Sequence, residues 1–150
     1  MKEQLFNSTF ELELRVLLLL QSVKKQSLSV ERIIFMDFIV CYAGDFQMPF
    51  INLHGDNQYM YGELASRRKR IQEAMKRLVI HGLVDVSVDR GYYFTIADAG
   101  KQFVRKLKSE YACQYREIAA SAVKLFGKNT DAELEQIIQD NALKTVRGEL

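Results

Sequence analysis

The segment from Val30 to Ala43 is apolar on nearly every side at helical spacing, and this feature constrains the fold more than any other. Ser29 stands at the N-cap position, and Gly44 stands where a left-handed residue would end the helix. A helix that is apolar all round has to be covered by the rest of the chain. With 150 residues, of which 48% are hydrophobic, the chain can supply that cover within one domain. We therefore expect a globular protein built around this helix.

Asp37 interrupts this apolar helix near its middle. A buried carboxylate without a partner costs several kcal/mol, so a cationic partner is expected. The helical spacing 64–68–71–75 places Arg68 near the edge of the core, which makes Arg68 the first choice. Arg15, in the first predicted helix, is the second. We interpret the pair as structural, and a conformational switch is the alternative.

The order of the predicted elements indicates the fold class. Helical spacing predicts helices over about 9–23, 30–43, 63–81, 98–108, 110–126 and 131–143. Between the third and fourth of these, Val84, Val86 and Val88 alternate with polar residues, and the chain turns at Arg90-Gly91 and returns through residues 92–96 as a hairpin. Three helices, a hairpin and a further helix are the order of a winged-helix domain.

The predicted fold is therefore mainly α with a small β hairpin. We expect a winged-helix-like domain over residues 1–109 and a C-terminal helical extension over 110–150 that packs on it. Residues 44–62 form a long insertion between the second and third helices, and a short strand is expected near Phe50–Leu53. A loop of this length in a compact domain is often functional.

Positive charge is concentrated in the middle of the chain. The whole chain has a formal net charge of +2, but residues 63–108 hold eleven Lys and Arg against five Asp and Glu. The predicted surface cations on this part are Lys69, Arg70, Lys76, Arg77 and Arg90. Such a face contacts phosphates in a winged-helix DNA-binding protein. In the alternative interpretation it is a solvated face whose cations pair with Glu73.

The two C-terminal helices carry wide apolar stripes. Their members are Tyr111, Tyr115, Ile118, Phe126, Leu134, Ile137 and Ile138. A small core covers one face of such a pair, and the remaining apolar surface is expected to form a partner interface.

Few residues suggest catalysis or metal binding. His54 and His81 do not form a metal-ligand spacing with Cys41 or Cys113, which are expected to be buried free thiols. The string Leu53-His54-Gly55-Asp56 is consistent with a general base oriented by a carboxylate, but a loop turn is the favoured interpretation. We expect no enzyme activity, no metal and no cofactor. The longest apolar run is far too short to cross a bilayer, so a cytoplasmic protein is expected.

Several short strings occur together in an order that resembles one family. They are Arg15-Val16-Leu17-Leu18-Leu19-Leu20, Gly44-Asp45-Phe46, Asn52-Leu53-His54, Gly62-Glu63-Leu64, Arg67-Arg68 with Ile71-Gln72-Glu73, and Gly82-Leu83-Val84. Their order and spacing, from about Leu5 to Leu143, look like the middle component of bacterial ABC-three-component conflict systems, which are related to Lamassu-type antiphage systems.

This resemblance implies a small non-enzymatic adaptor of a bacterial defence complex. It would bridge an SMC-like ABC ATPase and a separate effector subunit, often a nuclease, and DNA would be contacted through the complex. The other function considered is a homodimeric winged-helix transcription regulator that binds operator DNA through helix 63–81. The long 44–62 insertion favours the adaptor, because a helix-turn-helix joins its two helices by only ~3–4 residues.

Overall fold

A computed structural model describes residues 8–24, 26–55 and 60–146 of the chain. The described part is mainly helical, with one small antiparallel sheet, as the sequence predicts. Its elements are α1 (Thr9–Ser22), β1 (Leu28–Ser29), α2 (Val30–Cys41), α3 (Glu63–Ile80), β2 (Val84–Val88), β3 (Tyr92–Ile96), α4 (Asp98–Arg105), α5 (Glu110–Phe126) and α6 (Asp131–Val146). None of the helices described is both long and apolar enough to cross a membrane.

Helix α2 lies at the centre of the fold. Every residue from Ile33 to Cys41 is buried, and α1, α3, α5 and α6 all pack against this helix. The hydroxyl of Ser29 accepts a hydrogen bond from the Arg32 amide at 3.1 Å, as its N-cap position predicts. The chain therefore supplies four helices to cover the apolar segment.

The sheet has three strands in the order β1-β3-β2, and all of its pairs are antiparallel. The predicted hairpin is confirmed, with Val84 opposite Ile96 and Val88 opposite Tyr92. Its turn uses positive φ angles of 58° at Arg90 and 148° at Gly91. The third strand, β1, is only two residues long, so no alternation in the sequence could predict it.

The connection after α2 differs from the prediction. The helix ends at Cys41, and a short 3-10 helix (Ala43–Phe46) follows. Gly44 does not have the left-handed conformation expected there; instead its amide donates to Asn52 Oδ1 at 2.8 Å. A Cβ atom on Gly44 would lie 2.9 Å from that oxygen, so glycine permits the close approach. The strand expected at Phe50–Leu53 is wrong, since this segment is irregular.

Helices α5 and α6 share the core with the preceding elements. Arg32 on α2 donates to the carbonyl oxygens of Phe126, Gly127 and Asn129 at 3.1, 3.1 and 2.6 Å, and to Asp131 Oδ1 at 3.1 Å. The guanidinium thus caps the C-terminus of α5 and holds the first turn of α6. The predicted capping box at Thr130 and Glu133 is present, with both reciprocal hydrogen bonds.

The expected apolar surface on α5 and α6 is therefore largely absent. The members of the two stripes that are buried in the core are Tyr115, Ile118, Phe126, Leu134 and Ile138, while Tyr111 and Ile137 are half-buried. The expectation that these stripes exceed what the core can cover is wrong, because α5 packs against both α1 and α2, and α6 packs against α2. Cys113, also on α5, is exposed rather than buried, whereas Cys41 is buried as expected.

Candidate functional site

A buried polar cluster surrounds Asp37 at the centre of the core. Arg15 donates from Nε to Oδ1 of Asp37 at 3.0 Å and from Nη2 to Oδ2 at 3.1 Å. Arg67 donates from Nη1 to Oδ2 at 3.0 Å, and the Tyr115 hydroxyl donates to Oδ1 at 2.7 Å. The carboxylate is therefore satisfied by three side chains from three helices, α1, α3 and α5.

The prediction that Arg68 is the partner of Asp37 is wrong, because the partner on α3 is the adjacent Arg67. Asp37 contacts Arg15, the second choice, and Arg67, whereas Arg68 pairs with Glu31 near the surface. On α3, Arg67 lies on the same face as the buried Ile71 and Leu78, four and eleven positions later. Arg68 is rotated by ~100° from that face. The spacing from Leu64 suggested Arg68, but Leu64 is only half-buried and does not mark the centre of the buried face.

The charges of this cluster are fixed by their neighbours. Burial alone would raise the pKa of Asp37, but the charges of Arg15 and Arg67 outweigh it and hold that pKa well below its usual value of 3.8. Burial raises the pKa of the Cys41 thiol to about 11. Arg67 also lies over the ring of Phe38, 5.5 Å from its centroid. Arg67 Nη2 also lies 3.7 Å from Glu63 Oε2, so two carboxylates balance the two guanidinium groups. The cluster is therefore suited to holding helices together.

His54 packs against α5 at the edge of this cluster. Its Nε2 atom lies 2.9 Å from the Tyr111 hydroxyl, and the two rings stack with centroids 6.3 Å apart. Burial, followed by the charges of Arg15 and Arg67, lowers the pKa of His54 to about 3. The histidine is therefore neutral near pH 7. Asp56, the carboxylate considered as its orienting partner, lies outside the described residues.

The predicted cationic residues of α3 and the hairpin are all exposed. They are Lys69, Arg70, Lys76, Arg77 and Arg90. Arg77 donates to Glu13 of α1 at 3.0 Å, so its partner is not the expected Glu73. In the described part of the chain, Lys76 and Arg90 have no ion pair within 4 Å. The structure places these two on opposite walls of a single groove.

This groove runs between the C-terminal half of α3 and the hairpin, and we call it the α3–hairpin groove. Its volume is about 830 Å³, and its apolar lining comes from Met75, Val79, Ile80, Val86, Tyr92 and Phe94. Ile80 is 79% exposed although it is a large aliphatic side chain. Sequence reasoning missed this site because it assigned the exposed face of α3 to its cations alone.

The floor of the groove is a continuation of the core. Val84, Val86 and Val88 project from the same face of β2, and their exposed fractions rise from 2% to 42% to 74%. The paired residues of β3 follow the same order, since Ile96 and Phe94 are buried and Tyr92 is 66% exposed. The inner face of the hairpin thus extends past the last element that covers it. The alternating valines in the sequence make this whole face apolar, but they do not mark where its cover stops.

The described ranges contain no cluster of three or more His, Cys, Asp or Glu side chains that could hold a metal ion. The geometry defines a small, mainly helical domain with a closed polar cluster in its core and an open apolar groove on its surface.

Comparison with known proteins places the chain in a family. The model of the ABC-three component (ABC-3C) system Middle Component 2 family matches residues 5–148, so the chain belongs to that family. This confirms the resemblance read from the sequence. No curated protein and no solved structure matches the chain.

Proposed function

We propose that this protein is a winged-helix adaptor that bridges an SMC-like ABC ATPase and an effector subunit in a bacterial antiphage complex. The observation that carries the proposal is the family match over residues 5–148, since a middle component is by its description one part of a system of several proteins. The adaptor acts in the cytoplasm. It has no hydrolytic or transfer activity of its own.

The order and pairing of the elements support the winged-helix assignment. Strand β1 lies between the first two helices and pairs with β3 of the hairpin, which itself follows the third helix directly. In this arrangement α3 corresponds to the recognition helix of a DNA-binding relative and the β2–β3 hairpin corresponds to the wing. The connection between α2 and α3, longer than a helix-turn-helix allows, supports a role in protein contacts.

The proposal is tested by co-expressing this chain with the ABC ATPase and the effector encoded beside it. We expect the ATPase and the effector to co-purify only when this chain is present. Leaving out each protein in turn identifies which pairs bind directly. If the ATPase and the effector associate equally well without this chain, the bridging role is wrong.

The role of His54 separates an adaptor from an enzyme. Its contact with Tyr111 supports a structural role, so His54→Asn should leave the assembled complex active wherever the variant folds and assembles normally. Loss of cellular function in a folded and fully assembled His54→Asn protein would instead support catalysis.

The exposed cations favour a second candidate, a homodimeric regulator that binds DNA through α3. Phosphate contacts by Lys69 and Arg70 would give affinity for duplex DNA that falls steeply with salt. Binding without sequence preference fits an adaptor that touches DNA within its complex. A sharp footprint on a single promoter would support the regulator.

A further inference from the structure

We infer that the α3–hairpin groove holds an acidic amphipathic helix from a partner subunit of the complex. The inference rests on the proposed function, because that function supplies the partner. It adds the surface through which the chain binds and the chemistry of the segment that it binds.

The first argument is the unfinished core. The exposed fraction of the inner face of β2 rises steadily from Val84 to Val88, and Ile80 on the facing helix is almost fully exposed. Of these side chains, Val86 and Ile80 line the groove together with the buried Met75 and Phe94. Apolar surface of this kind, contiguous and concave, marks a binding site in a soluble protein.

The second argument concerns which element could cover the surface. The exposed side chains stand on the face of the hairpin, and side chains in a strand project roughly perpendicular to the sheet. A strand added to the free edge of β2 would bond its backbone but would leave that face open. A helix laid between α3 and the hairpin covers the face, with apolar residues at i, i+3 or i+4, and i+7 as anchors.

The third argument is the charge of the rim. Among the described residues, three charged side chains line the groove: Lys76, Arg90 and Glu31. Glu31 is paired with Arg68, whereas Lys76 and Arg90 have no ion pair in the described ranges of the chain. Lys76 comes from the α3 side of the groove and Arg90 from the hairpin side, so a partner with carboxylates on both flanks of its apolar stripe complements them.

The same charges argue against the other occupants. A symmetric dimer through this groove would bring the Lys76 and Arg90 of two copies together, and such like charges repel. DNA would satisfy the two cations but would leave Val86, Ile80 and Tyr92 without apolar cover. The Ser29 hydroxyl in the groove is already bonded to Asp131 at 3.0 Å, so it is not available to orient a small polar ligand.

The decisive experiment uses full-length protein in the reconstituted complex. Ile80→Asp should weaken binding to one partner subunit by about tenfold or more, because a buried apolar anchor is replaced by a charge. Leu125→Asp is the matched control: Leu125 is also a large exposed aliphatic residue, 60% exposed, but it lies on α5 away from the groove. The control should bind as the parent does, and both variants should melt as the parent does.

A pair of charge reversals tests the acidic character of the partner. Lys76→Glu, on the rim of the groove, should weaken the same contact and make it less sensitive to salt. Lys69→Glu is exposed on the same helix but does not line the groove, so it should have little effect on that contact. Equal effects of the two reversals would mean that general charge, rather than the groove, attracts the partner, and would overturn the inference.

Photo-cross-linking identifies the occupant directly. With p-benzoylphenylalanine at position 92, we expect cross-links to a partner segment that has helical apolar spacing and flanking carboxylates. Cross-links to a second copy of this chain, or to DNA, would overturn the inference, as would unchanged partner binding by Ile80→Asp. If the parent protein binds neither the ATPase nor the effector, the proposed function itself fails, and the two failures are thereby distinguished.

Discussion

The C-terminal stripes and the α3–hairpin groove are both apolar, yet the chain covers one and leaves the other open. Helices α5 and α6 are fixed on α2 by Arg32 and by the bond from Tyr115 to Asp37. Within the part of the chain that the structure describes, nothing comparable holds the end of the hairpin, because β1 pairs only as far as Tyr93. From this contrast we conclude that helical or strand periodicity identifies the apolar face of an element. Polar contacts such as those of Arg32 and Asp37 determine whether another element of the same chain packs on that face.

The largest expected effect comes from removing the anchor of the covered region. Asp37→Ala removes the carboxylate that both Arg15 and Arg67 bond in the core, which should cost about 3–5 kcal/mol of unfolding free energy. Urea denaturation followed by circular dichroism measures this. Asp85→Ala, at an exposed position of β2, is the control and should be nearly neutral. A melting temperature of Asp37→Ala within a degree of the parent would contradict the assignment.

The adjacent arginines Arg67 and Arg68 give a finer test of the same anchor. Arg67→Met removes a bond to Asp37 in the core, whereas Arg68→Met removes a pair with Glu31 that is partly exposed. Exposed ion pairs contribute about 0–1 kcal/mol, so Arg67→Met should be clearly the more destabilising of the two. Equal losses in urea denaturation would mean that Asp37 does not depend on Arg67.

The next effect tests whether the C-terminal stripes are truly covered. Ile118→Ala creates a cavity in the core and should cost about 2–5 kcal/mol. Leu125→Ala on the same helix removes an exposed side chain and should stay within about 0.5 kcal/mol. Comparable losses from the two would show that α5 is not packed as described.

A smaller effect on stability is expected from His54, which packs against Tyr111 of α5. The pKa of His54 falls from its ordinary 6.5 to about 3 on folding, so the unfolded chain binds the proton more tightly. Its contribution to stability is therefore complete above pH 6.5 and is lost as the pH falls towards 3. The melting temperature should drop between pH 7 and pH 5, and His54→Asn should flatten this drop. An unchanged pH profile in His54→Asn would mean that His54 titrates normally.

The smallest effect on stability is expected in the open groove. Ile80→Asp should change the unfolding free energy by no more than about 0.5 kcal/mol, since Ile80 is already in water. The same variant should reduce the fluorescence of a hydrophobic dye bound to the native protein, and Leu125→Asp should reduce it less. A loss of several kcal/mol in Ile80→Asp would show that the groove is closed in solution.

Much of the fold could be predicted from the sequence because its elements are long and periodic. The six helices and the β2–β3 hairpin follow apolar spacing, and the capping residues Ser29 and Thr130 mark two of the helix starts. The two-residue strand β1 and the 3-10 helix after α2 carry no period, so they could not be predicted. The bond from Gly44 to Asn52 depends on a close approach in three dimensions that local sequence does not encode.

The candidate site was harder to predict than the fold. That Asp37 needs a cationic partner follows from its burial alone. Whether that partner is Arg67 or Arg68 depends on which of the two side chains faces the core, and they point ~100° apart around the axis of α3. The groove depends on where the cover over β2 stops, which is a property of the neighbouring elements. Val86 and Val88 have the same residue type as Val84, and only the packed structure separates them.

The hydrogen bond between Asp37 and Tyr115 also sets a condition on how the protein is made. The two residues are 78 positions apart in the chain, and ribosomes add roughly 5–20 residues per second. The newly made α2 therefore waits about 4–16 s for Tyr115, and longer for α6. Until α5 and α6 are made, the part of the apolar surface of α2 that they cover is open to other nascent chains. The yield of this protein in cells should then depend on synthesis rate and chaperone supply as well as on the stability of the finished fold.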